Sequence, residues 1–195
     1  MSDPKLSVVL PVRDRQHDIA ERVERVLEAL ITLTREPAEV VVVDDGSRDA
    51  TPEVLDDLSA RYPQVRIIRH GRPRGMEAAG QTGLECSTGE LVFIQESNTA
   101  VRIEDMRRLL RMAEDDSVVA ARAESTPKSL SPELVRRLRA WGTDADQRID
   151  SPVDLGESSS LQMLRRPHLQ KLAGNQADRM RLQGETMHTT SVQKR

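Results

Sequence analysis

The segment Glu39-Val40-Val41-Val42-Val43-Asp44-Asp45-Gly46-Ser47-Arg48-Asp49-Ala50-Thr51 decides the fold of this 195-residue chain. Four consecutive valines are typical of a strand buried on both faces inside a parallel sheet. The run stops at two aspartates, and we expect Thr51 to cap a helix that opens with Pro52. Paired carboxylates at the carboxyl end of such a strand lie where open α/β sheets bind their ligands, although an isolated Asp-Gly would more often be a plain turn.

Outward from this segment, strands and helices alternate at short intervals. Strands are predicted at residues 6–12, 65–69, 91–94 and 117–121, and helices at 16–33, 52–61, 76–86 and 103–114. This alternation predicts an α/β fold in which a mostly parallel sheet carries helices on both faces, a Rossmann-like three-layer sandwich. A dehydrogenase of this class would need a glycine fingerprint after the first strand, and the chain has Arg13-Asp14-Arg15-Gln16 there.

Four segments resemble the family 2 glycosyltransferases, which have the GT-A fold. They are residues 7–12, 41–51, 72–83 and 88–94, so that the likeness covers residues 5–122. A weaker likeness at 158–169 and 184–192 is to the polyprenyl-phosphate branch, which uses dolichyl or undecaprenyl phosphate. The resemblance implies a single GT-A domain over residues 1–195, with a nucleotide-binding half at 5–122 and an acceptor-side half at 123–195.

The resemblance implies a nucleoside diphosphate sugar as donor, and a lipid phosphate or a glycan as acceptor. It assigns nucleoside recognition to Asp44 with Asp45 and loop positioning to Pro11 and Asp14. The donor site would also include Gly75, which matches the family, and Arg74 beside it. Arg74 is assigned to a phosphate, with an ordinary surface arginine as the alternative.

The family's metal-binding aspartates should follow the fourth strand, where this chain reads Glu96-Ser97-Asn98. Glu96 and Asn98 are both oxygen ligands, so the resemblance implies a weakened Mn²⁺ or Mg²⁺ site. Asp178 is the candidate general base, with a solvated helix carboxylate as the alternative. The aromatic residue usual after the first strand is absent. These departures leave open a second function, that of an inactive relative that binds a nucleotide, a sugar or a protein.

Composition limits the remaining function classes. The net charge is −3, from 29 basic and 32 acidic residues, which gives no general case for binding nucleic acid. Residues 165–195 are locally basic, so a peripheral contact with an anionic membrane is left open. No apolar run is long enough to span a bilayer and no secretory signal precedes the first strand, so we expect a cytoplasmic protein. The lone Cys86 excludes a disulfide within the chain and is assigned to packing.

Overall fold

A computed structural model of the chain describes residues 5–95, 101–125, 159–166 and 186–188. The first half alternates strand and helix: β1 Leu6–Val12, α1 Ile19–Leu33, β2 Ala38–Asp44, α2 Thr51–Arg61, β3 Val65–Arg69, α3 Met76–Cys86, β4 Leu91–Gln95 and α4 Ile103–Met112. The remaining strands are β5 Val118–Ser125, β6 Ser159–Arg165 and β7 Thr186–His188. Every predicted helix and strand in the first half is therefore present, most with small changes at the ends.

The sheet has the strand order β3-β2-β1-β4-β6-β5-β7. The first four strands in this order are parallel to one another, whereas β6 runs antiparallel to β4 and β7 runs antiparallel to β5. In β2, Val40 and Val42 belong to one buried cluster and Val41 and Val43 to a second, because successive side chains of a strand point to opposite faces. Helices α1, α2 and α4 contribute to the first cluster and α3 to the second, which confirms the predicted three-layer α/β fold.

Two local predictions are wrong. Thr51 is the first residue of α2 rather than its cap, because Ala50 occupies the N-cap position and the Thr51 hydroxyl instead donates to Asp49 Oδ1 at 2.6 Å. Cys86 is exposed at the end of α3, so it is not a packing residue. Among the described residues, none of the helices combines the length and the apolar character needed to cross a membrane.

The chain divides into two compact units, Met1–Glu124 with Ser159–Arg195 and Ser125–Ser158. The features discussed below all belong to the first unit. The second unit lies almost entirely outside the described residues, so the predicted single domain over 1–195 stays a prediction.

Glu39, at the start of β2, forms hydrogen bonds with three other parts of the chain. Its Oε1 accepts hydrogen bonds from Ser7 Oγ at 2.7 Å, from Thr88 N at 2.6 Å and from Thr88 Oγ1 at 2.9 Å. Its Oε2 accepts from Arg66 Nη1 at 2.9 Å. Burial alone raises the pKa of Glu39, but these hydrogen bonds outweigh it and hold the pKa below the ordinary value of 4.5. The carboxylate therefore stabilises the folded chain while it is ionised.

The depressed pKa of Glu39 predicts acid sensitivity. Because the folded-state pKa lies below the unfolded value, the stability that this carboxylate contributes is present above about pH 4.5 and is lost as the pH falls through the folded-state pKa. We expect Glu39→Gln to lower the free energy of unfolding by about 1–3 kcal/mol at neutral pH, because charge-assisted hydrogen bonds are lost. Urea unfolding at several pH values should show that the variant loses less stability on acidification than the parent. Equal pH slopes in the two proteins would contradict this account.

Candidate functional site

The loops that follow β1 and β2 are held together at the carboxyl edge of the sheet. Asp14 N donates to Ser47 Oγ at 2.9 Å, and Arg48 N donates to Asp14 Oδ1 at 2.7 Å. Asp14 has a φ of 51°, a left-handed conformation that aspartate tolerates better than most residues. Asp14, in the loop after β1, therefore connects this loop to the loop after β2, and the backbone of Arg48 binds one of its carboxylate oxygens.

A second set of hydrogen bonds joins the same two loops a few residues further along the chain. Arg15 N donates to Thr51 Oγ1 at 2.7 Å, and Gln16 N donates to Asp49 Oδ2 at 3.1 Å. The Gln16 side chain also binds the β2 loop, because its Oε1 accepts a hydrogen bond from Ala50 N at 2.8 Å. These reciprocal bonds satisfy backbone donors that the turns leave unpaired. Sequence reasoning missed Gln16, whose partners lie more than 30 residues away along the chain.

Asp44 ends β2 with one carboxylate oxygen engaged and the other available. Its Oδ1 accepts hydrogen bonds from Ser47 N at 3.0 Å and from Ser47 Oγ at 2.5 Å. The residue is only 2% exposed, and Oδ2 has no hydrogen-bond partner among the described residues. Asp44 Oδ2 is not completely buried, so a small part of its surface is open to solvent. It can therefore accept a hydrogen bond from a ligand.

Asp45 differs from its neighbour because both of its oxygens are engaged within the protein. Oδ1 lies 2.7 Å from His70 Nδ1 and accepts from Arg74 N at 2.8 Å, while Oδ2 accepts from Gly75 N at 2.7 Å. Burial alone raises the pKa of Asp45, but the hydrogen bonds from His70, Arg74 and Gly75 outweigh it and hold the pKa below 3.8. Both oxygens of Asp45 therefore accept hydrogen bonds within the protein and the residue is only 1% exposed, whereas Asp44 keeps one oxygen without a partner among the described residues.

The loop between β3 and α3 folds against the β2 loop. A Cβ atom on Gly46 would lie 2.9 Å from Pro73 N, and the φ of Gly46 is 67°, so only glycine fits this contact. Gly75 has a φ of 99° and immediately precedes α3. The structure thus places Gly75 as a turn residue whose N–H is bound by Asp45. Pro11 is buried in β1 in register with Val43, on the side of the sheet that α3 covers.

Exposed arginines surround this edge of the sheet. Arg48, Arg72 and Arg74 are exposed, and none of the three forms an ion pair with another described residue. Arg13 and Arg15 are half-buried and lie 3.5 Å and 3.6 Å from aspartate oxygens on the same loop. An unpaired guanidinium attracts anions and can bind a phosphate with two parallel hydrogen bonds. The arrangement therefore favours an anionic ligand at the carboxyl edge.

The predicted metal ligands Glu96 and Asn98 and the predicted base Asp178 lie outside the described residues. Within the described ranges, no group of three or more histidine, cysteine, aspartate or glutamate residues is placed to hold a metal ion. β4 ends at the buried Gln95, whose Oε1 accepts from Arg22 Nη2 of α1 at 3.1 Å. Arg22 thus holds the strand end from which the predicted metal motif starts. Sequence reasoning missed this contact, which joins residues 73 positions apart.

Three comparisons with known proteins bear on the family and the fold of this chain. A family model described as glycosyl transferase family 2 matches residues 7–173. The chain is 32% identical over 120 residues to the uncharacterized glycosyltransferase YibD of Escherichia coli K12, covering 61% of this chain and 33% of that protein. It is 29% identical over 116 residues to a dolichol-phosphate mannosyltransferase of Pyrococcus furiosus, covering 60% and 32%. The chain therefore spans about a third of the length of these two curated relatives.

Among solved structures, the chain is similar to the mannosyltransferase PcManGT from Pyrobaculum calidifontis, which was solved in complex with GDP-Man and Mn²⁺. The TM-score is 0.59 at 24% sequence identity, over 91% of this chain and 49% of that one. At this identity the likeness shows the fold, and it confirms the predicted GT-A architecture.

Proposed function

Because the chain belongs to glycosyl transferase family 2, we propose that it transfers a sugar from a nucleoside diphosphate sugar to an acceptor. The observation that carries this proposal is the geometry of Asp44. A carboxylate at the end of β2 is fixed through one oxygen by Ser47, and its second oxygen is free at the ligand-binding edge of the sheet. This is the arrangement that a nucleoside needs for a directed hydrogen bond.

Asp44 Oδ2 would accept a hydrogen bond from the base or from a ribose hydroxyl. Uracil and guanine both carry ring N–H donors, so either base suits a buried carboxylate oxygen. A donor that pairs with an ionised acceptor forms a shorter and stronger hydrogen bond than a neutral pair does. Since Asp44 is almost completely buried, this bond would form with little competition from water.

The diphosphate would lie toward the exposed arginines of the same edge. Arg74 follows the loop contact at Pro73 and is held at its backbone N by Asp45, so its side chain starts from a fixed point. We assign Arg74 to a donor phosphate, with Arg48 and Arg72 adding positive potential around it. Guanidinium groups stabilise the negative charge that grows on a departing diphosphate.

A divalent cation is assigned to Glu96 and Asn98, directly after β4. The carboxylate and amide oxygens of these two residues suit Mg²⁺ or Mn²⁺, and β4 neighbours β1 in the sheet, which in turn neighbours the strand of Asp44. We do not assign Asp45 as a third ligand, because it is only 1% exposed and both of its oxygens already accept hydrogen bonds within the protein. When bound, the cation would neutralise charge on the diphosphate leaving group.

The acceptor we propose is a lipid phosphate, with a glycan hydroxyl as the alternative. The named dolichol-phosphate relative supports the first choice. A phosphate acceptor is already ionised at neutral pH and needs no general base, whereas a hydroxyl must lose a proton as it attacks. Asp178 is the proposed base for a hydroxyl acceptor.

Thermal unfolding in the presence of nucleotides tests the donor site. We expect UDP or GDP to raise the melting temperature, and at a hundred times its Kd a ligand adds about 2.7 kcal/mol of stability. Adding Mn²⁺ should enlarge the shift, and Glu96→Gln should remove that increment but keep the shift seen in EDTA. Inorganic pyrophosphate in EDTA serves as the control, because it carries the diphosphate charge without a base or a ribose, and it should give a much smaller shift than UDP or GDP.

The result also separates the two candidate functions. A metal-dependent shift followed by sugar transfer or hydrolysis supports the enzyme. A nucleotide shift without turnover of any donor sugar supports the binding relative. The absence of a shift with every nucleotide and sugar nucleotide would overturn both nucleotide-based proposals.

A further inference from the structure

We propose that His70 is a positioning residue of the donor site, because it links Asp45 to α3 and so fixes the loop of residues 71–75. The inference rests on the proposed function for its consequence, which is nucleotide affinity. Its structural basis is independent, since it depends only on hydrogen bonds within the protein.

His70 lies at the junction of three elements and is only 9% exposed. Its backbone N donates to Asp44 O at 2.9 Å, which extends the pairing of β3 with β2 by one residue. Its ring lies between Asp45 Oδ1, 2.7 Å from Nδ1, and Thr82 Oγ1 of α3, 3.0 Å from Nε2. A carboxylate can only accept, so Nδ1 carries a proton and donates to Asp45. The ring is therefore oriented from both sides.

The Asp45 carboxylate in turn holds the loop. It binds the N–H groups of Arg74 and Gly75, one on each oxygen. Within the described parts of the chain, no other side chain binds a backbone N–H of residues 71–75. Because the carboxylate is 1% exposed, water cannot readily replace a lost partner. Losing the donor from His70 would free the carboxylate to rotate and weaken both loop contacts.

The loop of residues 71–75 affects the donor site in two ways, through its arginines and through its contact with the β2 loop. It presents the exposed side chains of Arg72 and Arg74, and it packs against Gly46, two residues after Asp44. A loosened loop would therefore move the arginines and disturb the turn that fixes Asp44. Nothing in this chain of contacts requires His70 to touch the nucleotide, so we assign it a positioning role and no catalytic one.

Two substitutions separate the two ring nitrogens. In His70→Asn the side-chain amide nitrogen takes approximately the place of Nδ1, so the bond to Asp45 is kept and the link to Thr82 is lost. In His70→Gln the amide nitrogen takes approximately the place of Nε2, so the link to Thr82 is kept and the bond to Asp45 is lost. The two variants have similar polarity and no charge, and each serves as the control for the other.

We expect His70→Gln to weaken binding of the nucleotide found in the thermal screen by about tenfold or more, because a hydrogen bond to a buried charge is removed. We expect His70→Asn to stay within about threefold of the parent, since that bond is retained. Hydrogen exchange at the Arg74 and Gly75 amides should rise in the glutamine variant only. The amides of β2 provide the reference, because their exchange reports on unfolding of the whole sheet.

Unchanged protection of Arg74 and Gly75 in His70→Gln would overturn the inference, as would equal losses of affinity in the two variants. If the parent protein binds no nucleotide, the proposed function fails. The exchange measurement needs no ligand, so it still decides whether His70 holds the loop.

Discussion

Replacing Asp44 with asparagine is expected to weaken nucleotide binding strongly while leaving the fold intact. The asparagine Oδ1 can still accept from Ser47 N and Ser47 Oγ, so the turn after β2 is preserved. The second position changes from an acceptor oxygen into an NH₂ donor, which faces the ligand's own N–H or O–H. Because a buried unpaired donor is costly and the charge is lost as well, we expect affinity to fall by about a hundredfold or more. Isothermal titration with the preferred nucleotide measures the loss.

The control for this experiment is Asp57→Asn on the exposed face of α2, which removes the same charge away from the site. It should bind nucleotide as the parent does. Urea unfolding should place both variants close to the parent, since neither loses a hydrogen bond that the described structure contains. An Asp44→Asn variant that binds nucleotide with parental affinity would contradict the assignment of Oδ2 and would move recognition elsewhere.

The architecture could be predicted because its signals are local. The valine run of β2 and the small-residue pattern of α3 lie within windows of about a dozen residues, over which periodicity distinguishes a strand from a helix. The boundaries of β3 and α3 were predicted to the residue. The cap of α2 was not, because the Thr51 hydroxyl donates to Asp49 Oδ1 and accepts from Arg15 N. Arg15 belongs to the loop after β1, so this contact cannot be read from the sequence around Thr51.

The candidate site could be predicted only in outline. Asp44 and Asp45 look equivalent in the sequence. In the structure Asp44 keeps one oxygen without a protein partner, while both oxygens of Asp45 bind His70 or the loop before α3. No local pattern distinguishes them, because the partners of Asp45 lie 25 to 30 residues away. The same holds for Glu39, which looks like an ordinary polar residue at a strand start. Sequence periodicity does not reveal which side chains become partners through tertiary packing.

Replacing Gly83 with alanine is expected to be strongly destabilising, although alanine is the better helix former. A Cβ atom at Gly83 would overlap Val9 Cγ1 and lie 3.1 Å from Val43 Cγ2, so α3 could not stay where it packs on β1 and β2. Both valines are fully buried in strands at the centre of the sheet and cannot move aside. We expect a net loss of about 2–3 kcal/mol, since overpacking of this kind exceeds the gain in helix propensity of about 1 kcal/mol.

Gly80 provides the matched control, because it lies one turn earlier in α3 and also faces the sheet. Its Cβ would lie 3.3 Å from Ile94 Cγ2 and 3.8 Å from Pro11 Cγ, contacts that a small shift of the isoleucine side chain can relieve. Gly80→Ala should therefore remain within about 1 kcal/mol of the parent, since the gain in helix propensity offsets the tighter packing. Urea unfolding of the two variants measures the difference directly. If both alanine variants were equally stable, α3 would not pack on β1 through Gly83, and the close helix–sheet contact described here would be wrong.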